Sequence, residues 1–345
     1  MSKSFFPFRA KSLCALTLVA AATGAPLHAL TININPDAGL SANPQALAAF
    51  QAAAAEWSNR LSDPITINIS AGLDDLGNNR VIGQTGSSEV SAPFDTIRNQ
   101  MVAEATGKPN GNAAATQLPT FANYSANVTL GTGTSLSGNM VLTTANAKAL
   151  GFSVNTASDA TITFNSRFSF NYTGHPDGTQ EDFQTVAAHE IGHALGFISS
   201  VDDADGGVTS LSPAPLDLYR FKTGNAPSGN TFSSMARDLT AGSADVTSDG
   251  TLTLGMSTGV AHGDGNQASH WKADELSGTY LGIMDPTLAN GQVEPVGDND
   301  LFAMNLIGYD LVAVPEPTTL LAGVACGVVL LRRARRSIRK TDRAV

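Results

Sequence analysis

Apolar residues at Leu47, Phe50, Ala54, Trp57 and Leu61 follow one another at intervals of three and four. That spacing lines one face of an α-helix about five turns long. Asn43-Pro44, just ahead of it, supplies an N-cap and a proline for the first helical position. A period of two replaces this pattern on either side: residues 31–35, and Ile65, Ile67 and Ile69, read as strands. Residues 72–92 are Gly- and Asn-rich and read as loop, 93–106 as a second helix, and 107–150 has no dominant period. Over 160–172 Ile162, Phe164, Phe168, Phe170 and Tyr172 fall on one face, and Thr161, Thr163, Asn165, Arg167 and Asn171 on the other. This predicts a half-buried strand, or a hairpin bent from it. Asp177-Gly178 turns the chain into Thr179, with Asp182 three residues on, a capping-box-like start for a helix over about 180–195 that Gly196 ends. Weak strands near 217–222 and 251–256 and a last helix over 298–307 complete an α+β pattern: a mixed sheet with a few helices.

The two ends differ from this interior. Lys3, Arg9 and Lys11 precede an apolar run over 13–22, and Leu27-His28-Ala29 offers a small residue before a cut. Residues 1–29 thus have the layout of a secretory signal peptide, and the run is too short for the ~20 residues of a membrane span. At the other end Pro315-Glu316-Pro317 is followed by uncharged residues 318–331 and then by Arg332, Arg333, Arg335, Arg336, Arg339, Lys340 and Arg343. As a helix the uncharged stretch reaches ~21 Å, short of a ~30 Å hydrocarbon core. This tripartite tail, 315–345, resembles the PEP-CTERM sorting signal of Gram-negative bacteria. The resemblance implies transient membrane contact, processing by an exosortase-type enzyme, and delivery to the cell surface or the medium.

Ten of the 20 basic residues but only Glu316 and Asp342 of the 30 acidic ones lie in these ends, so residues 30–314 keep ten against 28, a net charge of −18. Such a charge argues against nucleic acid or an anionic membrane as partner. Cys14 and Cys326 also lie in the ends, leaving 30–314 without disulfide, thiolate ligand or thiol nucleophile. Bound Ca²⁺ is one means of stabilising an acidic, thiol-free exported domain. The acidic loops at 202–205 and 298–300 are candidates for it, although neither fits the EF-hand pattern and solvated turns explain both.

His189-Glu190-Ile191-Gly192-His193 carries the chemistry. On a helix, positions i and i+4 share a face one turn apart, so two imidazoles can chelate one ion. Glu190 can then reach a water at that ion without being a ligand, as a general base. Two imidazoles and no thiol favour zinc, although imidazole also suits copper and nickel. A catalytic zinc needs a third protein ligand and an open fourth position. His193-x-x-Gly196 matches the start of an extended three-histidine motif, but the position for its last histidine is Ser199. The remaining candidates are His175, His262, His270, the Asp202/Asp203 pair and Asp217.

Ser269-His270-Trp271-Lys272, Glu275-Leu276 and Gly282-Ile283-Met284-Asp285-Pro286, following the helix motif in that order, resemble leishmanolysin-type metzincins, and more closely a group of bacterial PEP-CTERM metalloproteases. The resemblance covers about 180–200 and 265–310. It implies a metzincin-like fold with a twisted mixed sheet, an active-site helix beside a cleft, and a smaller C-terminal subdomain holding a Met-turn and the final helix. The catalytic domain would span 30–314, divided at about 198/199. The resemblance also implies His270 as third zinc ligand, Met284 as the floor beneath the metal, and cleavage of a protein or peptide substrate lying beside the strand at 160–172. This chain departs from the family in lacking the cysteine that keeps leishmanolysin latent. Pro286 also stands where some metzincins place a tyrosine, leaving Tyr280 as a guess for the oxyanion. Two alternatives stay open: a non-catalytic surface adhesin or matrix protein retaining the metal site, and a gluzincin-like peptidase with Asp217 as third ligand.

Overall fold

The computed structural model describes residues 30–312 except 79, 107, 109–110, 129–133 and 229–230. The segments read as signal peptide and sorting tail lie outside the described residues. Among the described residues no helix is long and apolar enough to cross a membrane.

The α+β pattern is observed. Strands β1 (Thr31–Pro36) and β2 (Thr66–Asp74) run parallel, joined through helix α1 (Pro44–Ser58). Asn43 caps α1 by accepting from the Ala46 amide, and Pro44 occupies its first turn. The apolar stripe is wider than its five spaced residues suggested, since Ala46, Ala49 and Ala53 are buried as well. Leu61 falls past the helix end, where it makes an isolated bridge to Leu311.

Two more strands complete the sheet. Numbering onward, β3 is Gly83–Ser87, β4 Glu89–Pro93, α2 Phe94–Ala105, β5 Asn139–Thr143, α3 Thr144–Ala149, β6 Ala160–Asn165 and α4 Phe183–Leu195. The sheet order is β1-β2-β6-β3, with β6 parallel to β2 and β3 antiparallel to β6. The central position of β6 puts Ile162 and Phe164 in the core, both fully buried. Phe164 meets Phe50 of α1 edge-on at 5.2 Å and Phe183 of α4 at 4.4 Å, so both helices cover one face of the sheet. Such ring pairs contribute about 0.5–1.5 kcal/mol beyond their buried area.

Two expectations need correction, and one segment left unassigned acquires structure. Residues 72–92 are not all loop: β3 and β4 lie there, without the apolar alternation that a core strand shows. The alternation over 160–172 is not one strand, because β6 stops at Asn165. The Asn165 amide turns in to donate to the carbonyls of Asn78 and Val81 at 2.7 and 2.9 Å. Beyond it Phe170–Asn171 pairs with Glu181–Asp182, and Phe170 and Tyr172 pack on Phe183 at 5.1 and 5.2 Å. Finally, the segment without a period, 107–150, contains β5, paired antiparallel with β4, and α3.

Past α4 the chain forms a small antiparallel sheet of β7 (Arg220–Lys222), β8 (Asp245–Ser248) and β9 (Thr253–Gly255), then α5 (Asp298–Leu306). The main apolar cluster includes Trp57 and Leu195 from one side of the 198/199 division and Trp271, Met284 and Met304 from the other. A second, small cluster gathers Val201, Ala204, Leu211, Leu239, Ala241 and Ala268. Arg220, buried, donates to Asp245 at 2.7 Å and to the carbonyls of Ser257 and Ala268 at 2.6 and 3.0 Å. It thereby pins the loop that leads to His270.

Candidate metal centre

Helix α4 begins one turn later than its sequence suggested. Asp182, not Thr179, is the N-cap: its Oδ2 accepts from the Thr185 amide and hydroxyl, both at 2.9 Å. Thr179 is held instead by Asp177 at the preceding turn. Gly196 ends the helix at φ 122°, a conformation that excludes a side chain at little cost only for glycine. Between these ends nearly every face of α4 is buried, so the helix is held in the core and its two histidines are rigidly placed.

His189 and His193 lie one turn apart, and the structure brings His270 to them. The His270 Nε2 is 3.1 Å from Nε2 of His189 and 3.1 Å from Nε2 of His193. On every ring the other nitrogen faces a backbone carbonyl: His189 Nδ1 that of Ile283 at 2.7 Å, His193 Nδ1 that of Phe197 at 2.8 Å, His270 Nδ1 that of Gln267 at 3.1 Å. A carbonyl can only accept, so each Nδ1 carries the proton and each Nε2 presents a lone pair. Burial keeps the rings neutral, lowering His189 to about 3, His193 to about 4, and His270 well below the usual histidine value. Three converging lone pairs repel one another unless a cation lies between them. Tetrahedral zinc with ligands at 2.0–2.1 Å would separate its nitrogens by about 3.3 Å, close to the spacing found here. Among the described residues no other His, Cys, Asp or Glu cluster forms a comparable set.

The turn at 282–285 lies against this triad. Met284 is fully buried, with its Sδ pressed against Gly192 of α4, where an added Cβ would collide with it. The turn also supplies the Ile283 carbonyl that orients His189, and its Met284 carbonyl accepts from the Trp271 amide at 2.9 Å. Asp300, at the start of α5, holds this assembly together. Its carboxylate accepts from Ile283 N at 2.9 Å, Gly297 N at 2.7 Å and the Trp271 indole at 2.8 Å.

Glu190 lies beside the triad, its carboxyl accepting from the Thr85 hydroxyl of β3 at 2.6 Å. Burial pushes it up to about 7, against the pull of that hydrogen bond. Ser87 of β3 reaches the His193 carbonyl at 3.2 Å, so the edge strand lies along α4. Between them opens a cleft of about 650 Å³, with Gly83, Thr85 and Ser87 on one wall and Asn266, Pro286 and Leu288 on others. The strand beside the cleft is therefore β3 and not 160–172, since β6 is covered on both edges by β2 and β3.

Among the described residues none of the other candidates joins the triad. His175 is exposed in its turn, and His262 is exposed with Nδ1 3.0 Å from Asp205. Asp217 is buried and accepts from Ser199, Ser200 and Ala214. Asp202 accepts from the Ala268 and Ser269 amides, and Asp205 from those of Ala261 and His262. Tyr280 does not line the cleft. Sequence reading missed Thr85, which sits in a strand with no apolar signal, and the structural task of Asp300, which looked like one of several acidic surface residues. No protein-family model, curated protein or solved structure matches this chain.

Proposed function

We propose that this chain is an exported zinc-dependent endopeptidase with a metzincin-like catalytic centre. One observation carries the reading: three neutral imidazole nitrogens converge beside a buried carboxyl, in a cleft walled by an open sheet edge. His189, His193 and His270 would hold the ion, which when bound acidifies a water and polarises a peptide carbonyl. Glu190 takes the proton of the attacking water and hands it to the leaving amine. Thr85 holds the Glu190 carboxyl in place from the substrate-facing strand. The edge of β3 left unpaired by β6 offers backbone donors and acceptors to an extended peptide, which adds as a further strand. A purely structural zinc site has no need of a base at Glu190, and this weighs against the adhesin reading. The same proposal takes 1–29 as the export signal and 315–345 as the sorting tail that exosortase-type processing removes.

The test is metal analysis of the full chain together with casein digestion before and after chelation. About one zinc per chain is expected, with digestion lost on chelation and regained on adding zinc. Glu190→Gln keeps the metal while cleavage falls by a factor of about 10²–10⁴. Undiminished cleavage by Glu190→Gln, or by metal-free protein, overturns the proposal.

A further inference from the structure

We propose that Ser269 is a positioning residue of the metal centre, its hydroxyl tying the end of α4 to the segment that carries His270. The inference rests on the metal-site reading above. Past Gly196 the chain turns around the buried Asp217. Its Oδ1 accepts from Ser199 Oγ at 2.6 Å, and its Oδ2 accepts from Ser200 N at 2.9 Å, Ser200 Oγ at 2.7 Å and Ala214 N at 2.9 Å. The Ser199 amide is directed instead to Ser269 Oγ, at 3.0 Å. Ser269 Oγ in turn donates to Asp202, whose carboxylate also accepts from Ala268 N at 2.6 Å and Ser269 N at 3.1 Å. Ser199, Ser200, Ser269 and Asp217 are all buried.

Ser199 stands where an uninterrupted three-histidine helix motif would carry its last imidazole. Here that position anchors the residue next to a histidine that lies 77 positions beyond His193. His270 is restrained on its C-terminal side through Trp271, by the Met284 carbonyl and Asp300. On its N-terminal side the Ser269 hydroxyl is the link to the Ser199 amide at the end of α4, and it joins the Ala268 and Ser269 amides in holding Asp202. Without it the buried Ser199 amide loses its acceptor and Asp202 loses one of its three donors, both adverse. The imidazole then loses register with the pair on α4. Partners lying beyond the ligands themselves commonly set metal affinity by a factor of 10–100.

The experiment is zinc titration of the full chain against a competing chelating dye, with the melting temperature of the zinc-free protein measured alongside. Ser269→Ala is expected to weaken zinc binding about 10-fold or more while lowering zinc-free melting by only about 2–5 °C, and Ser269→Thr to restore the affinity. Ser137→Ala, which removes a comparable hydroxyl contact to Ser212, leaves affinity unchanged. Asp202→Asn is the second variant, keeping the volume while disturbing the acceptor, and it weakens binding in the same direction. Affinity within twofold of wild type in both Ser269→Ala and Asp202→Asn overturns this inference alone. A wild-type chain that takes up no zinc overturns the metal-site reading and this inference with it.

Discussion

Replacing Asp300 by alanine removes a carboxylate that is fully buried and accepts from Gly297 N, the Trp271 indole and Ile283 N at 2.7–2.9 Å. A fourth contact, from Met284 N at 3.4 Å, is too long to weigh much. Leaving a buried donor without an acceptor costs about 1–3 kcal/mol. The Gly297 amide is only half-buried and can find water, so the Trp271 and Ile283 groups carry most of the loss. Burial itself pushes Asp300 up from the ordinary carboxylate range, and relief of that desolvation offsets part of the cost. A net loss of about 3 kcal/mol remains, a large value for one substitution. For a folded region of this size it lowers the melting temperature by roughly 5 °C. The assay is thermal or urea unfolding of the full chain, with Asp298→Ala, an exposed neighbour, as control expected within ~0.5 kcal/mol. Added Ca²⁺ does not raise the wild-type melting temperature through this residue, because the Asp300 oxygens are taken by N–H donors. A loss below about 1 kcal/mol, equal losses at the two positions, or a rise in wild-type melting with Ca²⁺ that Asp300→Ala abolishes would refute the reasoning.

Two other perturbations test the frame of the site. Gly192→Ala gains up to about 1 kcal/mol of helix propensity, but its methyl meets Met284 Sδ and lies 3.4 Å from Trp57. Overpacking of this kind costs about 1–3 kcal/mol, so a lower melting temperature and weaker zinc binding are expected, and a variant more stable than wild type contradicts the packing. Asp63 is pushed up to about 7 by burial, while in the unfolded chain it ionises near its ordinary 3.8. The contribution of Asp63 to stability is therefore full below that value and declines as pH rises toward 7, by about 1.4 kcal/mol per unit at most. Asp63→Asn should flatten this decline, and a variant that loses as much melting temperature as wild type between pH 5 and pH 8 would rule the assignment out.

Local pattern was enough wherever one face of an element is apolar and its ends are chemically marked. Helix α1 carries its stripe and its Asn43-Pro44 start in the sequence, and α4 carries the glycine that ends it. The start of α4 was displaced because Thr179 and Asp182 are both competent caps, and only Asp177, by engaging Thr179, decides between them. Strand β3 was illegible for a different reason. Its residues, Gly-Gln-Thr-Gly-Ser, occupy a sheet edge with a half-open burial pattern, so no hydrophobic alternation marks it. Glycine is needed there, since an added Cβ at Gly83 would lie 2.9 Å from Glu190 Oε1. A polar, small-residue strand and a polar loop are alike in sequence until something is found to lie against them.

The candidate metal centre divides along the same line. Two of its nitrogens are placed by the 3.6-residue period alone, which is why His189 and His193 could be paired without any fold. The third depends on tertiary structure. Spacing left His175, His262 and His270 equivalent, and what separates them is a set of long-range constraints: Arg220 on the carbonyls at 257 and 268, Ser269 on the end of α4, Trp271 on Asp300. None of these contacts has a local signature, because each joins groups whose individual identities are ordinary. A cation held by all three rings would connect α4 to the chain after 255 in a region with no disulfide. Its binding energy would therefore add to fold stability by mass action, by about 4 kcal/mol when free metal exceeds its dissociation constant a thousandfold. Loss of any one constraint on His270 then acts twice, on the ligand's position and on the stability that the bound ion returns to the fold.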